Sequence, residues 1–226
     1  MFSSSQDFLP YPLPPWEHDF STLAIHCEVN EETLQPFIPQ PLELISNRIQ
    51  VAVMRFDCKV PERLYYDAAV IAKVRYGSVT GGFWPFAFNS TDQATTGTRE
   101  IWGYNMKMAE INLIEDHNKT IGITKRLEKE VISISMEIRE GEFEIEDMFP
   151  RLFLKMTPDS KEVDGVKKVI VKMDTKPQIK SHIKGSGTVK FGISSADPLY
   201  KLKITKNLGA TLTHGHQVLP WGEELE

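Results

Sequence analysis

The chain has 226 residues, with 26 Lys or Arg against 31 Asp or Glu, which gives a formal net charge of −5 at pH 7. This acidic balance argues against nucleic acid as the main partner, because phosphate binding requires a net basic face. The 25% charged and 41% hydrophobic residues exclude a wholly disordered chain. No apolar run approaches the roughly 18 residues of a membrane-spanning helix, so we expect no membrane partner.

Three features of the sequence bear on the location of the protein and on metal binding, namely its N-terminus, its cysteines and its histidines. The first ten residues lack a basic segment followed by an apolar one, so we expect no secretory signal. Cys27 and Cys58 make no disulfide framework and match no close-spaced zinc pattern. His214 and His216 form a close pair without a third ligand nearby in sequence. The sequence therefore predicts a cytoplasmic protein with no metal site.

Most of the chain is predicted to form strands, after an extended, proline-rich N-terminal arm at residues 1–15. The predicted strands cover residues 21–29, 49–57, 68–76, 110–127 (a hairpin that turns at 116–119), 131–139, 151–157, 168–173 and 187–194. The predicted helices are short and cover 31–36, about 98–109 and 143–149. The strand at 131–139 has the clearest period of two, and its inward residues are Ile132, Ile134, Met136 and Ile138.

Many half-buried strands around one central helix indicate a mainly β fold, an antiparallel barrel or a highly curved sheet. Strands and helices do not alternate as a parallel doubly wound sheet requires. We expect a single domain over residues 1–226. The chain lacks the G-x-S-x-G, G-x-G-x-x-G, Walker and H-E-x-x-H motifs, so no cofactor is expected.

Two segments contain the candidate site residues. Residues 83–88, Phe-Trp-Pro-Phe-Ala-Phe, are uncharged and form either a plain core strand or the wall of an apolar pocket. In 98–109, the pair Arg99 and Glu100 precedes Lys107 among apolar residues. Upstream, Asp67 begins an apolar strand, where desolvation tends to raise the pKa of a carboxyl group. Desolvation acts on a lysine in the opposite direction, which is how an amine becomes nucleophilic near neutral pH.

Residues 99–109, Arg-Glu-Ile-Trp-Gly-Tyr-Asn-Met-Lys-Met-Ala, resemble the signature G-R-E-x-x-G-[FY]-P-K-K-L of the acetoacetate decarboxylase-like superfamily. Flanking segments resemble other motifs of that superfamily: 39–43 its P-x-P-L-E, 65–67 its Y-x-E, 154–158 its L-K-x-x-P, and 187–199 its late G-x-x-x-x-F and D-P-L region. The resemblance therefore covers nearly the whole chain. It implies an antiparallel, closed β-cone or double barrel around an apolar cavity, and a homo-oligomer.

The departures from the family pattern concern its chemistry. The resemblance implies that the first lysine of P-K-K forms a Schiff base with the substrate ketone, and Met106 stands at that position. Lys107 retains the second lysine. The early arginine expected to meet the substrate carboxylate falls on Phe20, and a strand glutamate falls on Ala52. The Y-x-E carboxylate is kept as Asp67, one methylene shorter.

These replacements favour an apolar pocket for a larger, neutral, carbonyl- or enol-bearing molecule. The expected lining residues are Met106, Phe20, Phe83, Trp84, Phe86, Tyr66, Trp102 and Tyr104. The first hypothesis is a lyase-, cyclase- or isomerase-type enzyme that is not a true acetoacetate decarboxylase. In it, Asp67 and Glu100 are acid–base groups, and Tyr66 or Tyr104 donates a hydrogen bond to a carbonyl.

Two alternatives stay open at this point. A decarboxylase or aldolase-type lyase would use Lys107 as a displaced Schiff-base lysine. A non-catalytic carrier or sensor would keep only the cavity. For Arg99 with Glu100, a structural salt bridge that shapes the helix entry is an equal alternative to a catalytic role.

Overall fold

The computed structural model describes residues 9–60, 62–139, 143–161 and 165–226. Its strands are β1 (Trp16–Val29), β2 (Glu43–Val60), β3 (Glu62–Tyr76), β4 (Val79–Asn89), β5 (Met106–Met108), β6 (Glu110–Asp116), β7 (Lys119–Arg126), β8 (Lys129–Ile138), β9 (Arg151–Pro158), β10 (Val166–Met173), β11 (Gln178–Phe191), β12 (Ile204–Leu219) and β13 (Glu223–Leu225). Its helices are α1 (Glu31–Leu34) and α2 (Asp92–Gly97), with single helical turns at Gln35–Phe37, Thr98–Trp102 and Leu199–Lys201.

All the strands belong to one 13-stranded sheet, in the order β13-β10-β9-β4-β3-β2-β1-β12-β11-β8-β7-β6, with β5 paired to β4. The pairs are antiparallel except for β4 with β5 and β4 with β9, which are parallel. The sheet curls over itself, so that β6 to β8 also pack against β1 to β3. The predicted mainly antiparallel β fold is confirmed, including the hairpin formed by β6 and β7.

The central strands are buried on both faces. Along β2, Val51 and Val53 belong to a first core cluster, shared with β8 and β12. Ala52, Met54 and Phe56 point the other way into a second core cluster, shared with β9 and β10. The predicted alternation is therefore present, but both of its faces are covered. Successive residues of β1 to β4 consequently serve two different interiors.

The helix prediction is confirmed at one of three places. Residues 31–37 form α1 and the helical turn after it, with Asn30 as the N-cap, since its side chain accepts a hydrogen bond from the backbone N–H of Glu32. The predicted helix at 143–149 is wrong, because this segment has no regular structure. The backbone carbonyl of Glu146 accepts from the Gln50 side chain at 3.1 Å, so this carbonyl bonds to β2 instead of to a helix of its own. The preceding residues 140–142 lie outside the described residues.

The predicted helix at 98–109 is shorter than expected. It covers only Thr98–Trp102 and ends at Gly103, whose φ of 86° lies in the left-handed region. Residues Met106–Met108 then join β4 as the strand β5. Pairing with a neighbouring strand has overridden the local helix signal here. None of the described helices has the length and apolar character needed to cross a membrane.

The N-terminal arm, described from residue 9, lies against the segment that follows α2. The Trp16 indole N–H donates to the carbonyl of Pro12 at 3.0 Å, and Tyr11 is buried. A Cβ atom at Gly97 would lie 2.8 Å from the Trp16 ring, so the close packing of the arm requires a glycine there. The arm is therefore packed against the end of α2 instead of being loosely attached.

The predicted inward face of β8 is correct except at its end. Ile132, Ile134 and Met136 are buried in the first core cluster, whereas Ile138 is 50% exposed. Ile138 is the last residue of β8, where the strand leaves the covered part of the sheet. The predicted burial of Ile138 is therefore wrong, because a period of two does not show where a strand stops being covered.

We expect Ile134→Ala to lower the free energy of unfolding by about 2–5 kcal/mol, the cost of a cavity at a fully buried aliphatic side chain. The matched control is Ile138→Ala, the same change in the same strand, which should cost about 1 kcal/mol or less. Urea denaturation of both variants measures the difference. Equal losses would contradict the assignment of the two residues to different environments.

Candidate functional site

A cavity of about 290 Å³ lies on the face of β1 to β4 that carries the second core cluster. We call it the central cavity. Its apolar wall includes Phe20, Ala52, Met54, Phe56, Trp84 and Leu219. Its polar groups include Asp67, Tyr65, Tyr104 and Arg151. An apolar pocket with a few converging polar groups is the usual form of a small-molecule site.

The carboxyl group of Asp67 is 5% exposed and faces this cavity. The side-chain amide of Asn89 donates to its Oδ1 atom. The amide cannot easily turn over, because its own oxygen accepts from the backbone N–H and the hydroxyl of Thr91 at 2.7 and 3.1 Å. Burial raises the pKa of Asp67 to about 8, although the Asn89 hydrogen bond and the Arg63 charge act in the opposite direction. At neutral pH this carboxyl group is therefore mostly protonated.

Tyr65 brings a second polar group to the same wall. Its hydroxyl and the Nε2 atom of His18 are hydrogen-bonded at 2.8 Å. His18 is fully buried, and desolvation lowers its pKa to about 3, so its imidazole is neutral. Burial and the nearby Asp67 raise the pKa of Tyr65. The cavity therefore contains a neutral phenol that is held in place by a neutral imidazole.

Tyr104 separates the central cavity from a second one and lies in the wall of both. Its ring stacks on Phe153 with centroids 3.7 Å apart and meets Trp84 edge-on at 4.9 Å. Burial raises its pKa well above the ordinary value, so the hydroxyl stays protonated. Of the predicted site residues, Asp67, Tyr104, Trp84 and Phe20 thus meet in one cavity.

The second cavity, which we call the outer cavity, has a volume of about 760 Å³ and includes Arg99, Glu100 and Phe83 in its wall. A carboxylate oxygen of Glu100 accepts from the Tyr11 hydroxyl at 2.6 Å. Arg99 donates to the backbone carbonyl of Met106 at 2.9 Å. The prediction that Glu100 lies at the polar end of the Asp67 cavity is wrong, because the Thr98–Trp102 turn points this side chain into the outer cavity.

Two aromatic residues predicted to line the pocket face away from the central cavity. Phe86 belongs to the first core cluster and packs against Phe37 at 4.8 Å. Tyr66 points away from Tyr65 and Asp67 and lines a shallow pocket with Arg55. The strand period of two explains the second error, because Tyr65, not Tyr66, shares a face with Asp67. That signal was present in the sequence.

Met106 is buried in the second core cluster, yet among the described residues it is not part of the wall of either cavity. The predicted cavity contact of Met106 is therefore wrong. The side chain of its neighbour Lys107 lies on the other face of β5. The Nζ atom of Lys107 lies 2.7 Å from the Oδ1 atom of Asp197. Asp197 is fully buried and also pairs with Arg126 at 3.1 Å. Lys107 is thus part of an ion-pair cluster around the buried carboxylate of Asp197.

The sequence reasoning missed Tyr65 and Arg151. Arg151 begins β9, is 8% exposed and reaches the central cavity. Its position next to the cavity depends on the parallel pairing of β9 with β4 at Gly82, which no local sequence pattern indicates. The expected purely apolar pocket is therefore wrong in one respect, because its wall contains a cation. Among the residues that the structure describes, no cluster of three or more His, Cys, Asp or Glu side chains is placed to hold a metal ion.

Comparison with known proteins places this geometry in context. The family model "Acetoacetate decarboxylase (ADC)" matches residues 3–223. An acetoacetate decarboxylase from Burkholderia ambifaria (strain MC40-6) is 22% identical over 165 residues, which are 70% of this chain and 66% of that protein. The matched part is thus slightly less than two thirds of the relative's length.

Solved structures share the fold. The acetoacetate decarboxylase from Legionella pneumophila superposes with a TM-score of 0.85 at 22% identity, covering 100% of this chain and 92% of that one. The enduracididine biosynthesis enzyme MppR, in complex with the condensation product of pyruvate and imidazole 4-carboxaldehyde, superposes with a TM-score of 0.81 at 11% identity. That comparison covers 95% of this chain and 90% of MppR. The same fold therefore occurs in proteins with different names.

We expect Asp197→Asn to lower the free energy of unfolding by about 1–3 kcal/mol, because it removes the buried charge that both Lys107 and Arg126 contact. The control is Glu43→Gln, which breaks the exposed pair with Arg75 and should cost about 1 kcal/mol or less. Guanidinium denaturation measures both. If the two losses were equal, the Asp197 cluster would not stabilise the fold as described.

Proposed function

Because the chain belongs to the acetoacetate decarboxylase family, we propose that it is an enzyme of lyase, cyclase or isomerase type. It acts without a Schiff base on a carbonyl- or enol-bearing small molecule held in the central cavity. The supporting observation is that Phe20, Ala52 and Asp67 all line this one cavity. These are three positions at which the family resemblance expects an arginine, a glutamate and a carboxylate. The substrate site is thus retained while two of its charged groups are replaced.

Residue identity supports the proposal that no Schiff base forms. Decarboxylation of a β-keto acid leaves an enolate, and an iminium is the electron sink that makes this step easy. Met106 stands at the position of the Schiff-base lysine and has no amine. Lys107 is committed to Asp197 at 2.7 Å, so a Schiff base on Lys107 would require a buried carboxylate to lose a partner. The Lys107 alternative is therefore disfavoured.

Asp67 is the proposed acid–base group. As a neutral acid, it can donate its proton to a carbonyl oxygen, and the resulting carboxylate can accept a proton from the adjacent carbon, which yields the enol. A pKa of about 8 suits this exchange, since acid–base catalysis is most effective when the pKa lies near the working pH. The hydroxyls of Tyr65 and Tyr104 are the candidate hydrogen-bond donors to the developing oxyanion.

The non-catalytic alternative is a carrier or sensor that uses the same cavity. It predicts binding without turnover, whereas the enzyme proposal requires exchange of the proton next to the carbonyl, or a product. Incubation with small ketones and polyketide-like phenols in D₂O, followed by mass spectrometry, distinguishes the two. The single domain, the homo-oligomer and the cytoplasmic location expected from the sequence stay predictions.

We expect no borohydride-trapped adduct when the wild-type protein is incubated with acetoacetate, because no described amine lines the central cavity. The measurement is intact-protein mass followed by peptide mapping, with the Burkholderia relative as the positive control. Met106→Lys should create a trappable amine if its side chain can reach the cavity. An adduct on Lys107 that disappears in Lys107→Arg would establish the Schiff-base alternative instead.

We expect Asp67→Asn to reduce turnover by about a hundredfold or more, the usual contribution of a positioned acid–base group. It should also change the pH dependence of stability. The folded-state pKa of Asp67 lies above its unfolded value, so the unfolded chain loses this proton first as the pH rises. The free energy of unfolding of the wild-type protein therefore falls as the pH rises from about 4 to about 8, by up to about 1.4 kcal/mol per pH unit.

Asp67→Asn should remove that loss. Urea denaturation of wild type and variant from pH 5 to 9 gives the difference directly. Asp57→Asn is the control, because the Asp57 side chain is 45% exposed. If the pH profiles of wild type and Asp67→Asn ran in parallel, Asp67 would not be the buried, protonated acid described above.

A further inference from the structure

The central cavity contains a buried cation without an anionic partner. Within the described parts of the chain, no Asp or Glu oxygen lies within 4 Å of the Arg151 guanidinium, and its one hydrogen bond runs from Nη1 to the carbonyl of Met148 at 3.0 Å. Asp147 interacts with it electrostatically but forms no ion pair. A buried charge is costly unless it is paired, so an unpartnered arginine beside a cavity requires an explanation.

The guanidinium is held in a defined position. Its centre lies 4.3 Å from the Phe149 ring and 5.7 Å from the Trp84 ring. Gly82 packs directly beside it, since a Cβ atom there would lie 2.6 Å from Nη1. The two aromatic rings and the backbone at Gly82 therefore surround the guanidinium closely and limit where it can lie. Because only one N–H group bonds to a described residue, the others remain for a ligand.

The charges around the cavity favour an anion. Asp67 and Arg151 are the only Asp, Glu, Lys or Arg side chains among the described lining residues. Burial raises the pKa of Asp67 to about 8, so this carboxyl group is mostly neutral at pH 7. Burial lowers the pKa of His26, also in the wall, to about 4, so its ring is neutral. The pKa of Arg151, although lowered to about 10, leaves it protonated.

We propose that Arg151 binds a carboxylate of the substrate, so that the molecule in the central cavity is an oxo acid and not a neutral carbonyl compound. A planar guanidinium with free N–H groups matches a carboxylate in a bidentate pair. The family resemblance places the carboxylate-binding arginine on β1, at Phe20. Arg151 lies on β9, and three strands separate β9 from β1 in the sheet. The carboxylate would therefore lie at a different wall, with the aromatic residues enclosing the remainder of the molecule.

This assignment rests on the proposed function only in taking the central cavity as the substrate site, and it can be tested without turnover. The probes are 4-oxo-4-phenylbutanoate, a γ-keto acid that does not lose CO₂ readily, and its neutral isostere 4-oxo-4-phenylbutanamide. A small panel of aliphatic and aryl oxo acids with matched amides extends the test. Isothermal titration calorimetry at pH 7 measures affinity for the wild-type protein and each variant.

We expect wild type to bind the best acid of the panel roughly tenfold or more tightly than its amide. Arg151→Met should abolish that preference, and Arg151→Lys should retain part of it, because the charge remains while the bidentate geometry is lost. Arg75→Met, which removes an arginine from the exposed pair with Glu43, should leave the ratio unchanged. Arg151→Gln is the second neutral variant, and near-UV circular dichroism verifies the fold of each protein.

Several results would overturn the proposal: equal affinity of wild type for acids and amides, no binding of any acid, or a preference that persists in both Arg151→Met and Arg151→Gln. Acids that bind through Arg151 without turnover would instead support the carrier alternative, with this inference intact. Turnover of a neutral ketone that Arg151→Met leaves unchanged would support the proposed enzyme while contradicting the carboxylate assignment.

Discussion

The burial of β1 to β4 on both faces is the constraint on which the structure depends. One set of alternate residues fills the first core cluster, and the other set forms the second core cluster together with the wall of the central cavity. Any polar group on the cavity face is removed from water by the fold itself. The carboxyl group of Asp67 responds by retaining its proton, and Arg151 responds by packing between aromatic rings. The electrostatics of the site therefore follow from the architecture of the sheet.

Strand periodicity accounts for what the sequence predicts well. Alternation of apolar and polar residues predicts most strands and the mainly β fold, and the position of Asp67 at the start of an apolar strand predicts a desolvated carboxyl group. The same alternation places Tyr65, and not Tyr66, on the cavity face beside Asp67. The prediction that Tyr66 lines the cavity is therefore wrong. The exposed end of β8 at Ile138 shows a real limit, because periodicity reports a face but not how far a neighbouring layer extends.

The position of Arg151 and the structure of residues 98–109 depend on contacts between separate segments of the chain, which the local sequence does not encode. Arg151 reaches the cavity because β9 pairs in parallel with β4. This parallel pairing depends on the long connection between the two strands. The segment 98–109 has a helical composition, but Gly103 ends its single turn and β4 recruits Met106–Met108 as a strand. In both cases a backbone pairing between separate segments determines which side chains lie at the central cavity and which do not. A short sequence motif does not show which strands will pair.

The change from helix to strand at Met106 also alters the argument about the missing amine. On a helix, adjacent residues point about 100° apart, so Lys107 could take the place of Met106 only through a local twist of the backbone. In a strand they point to opposite faces, and exchanging them would require a shift of register by one residue. Lys107 is therefore separated from the Met106 side by the sheet itself and is also held by Asp197. With this backbone, Lys107 has no short route into the cavity, which supports the proposal that no Schiff base forms. The proposed chemistry therefore depends on the acid, the phenols and the guanidinium that face the cavity.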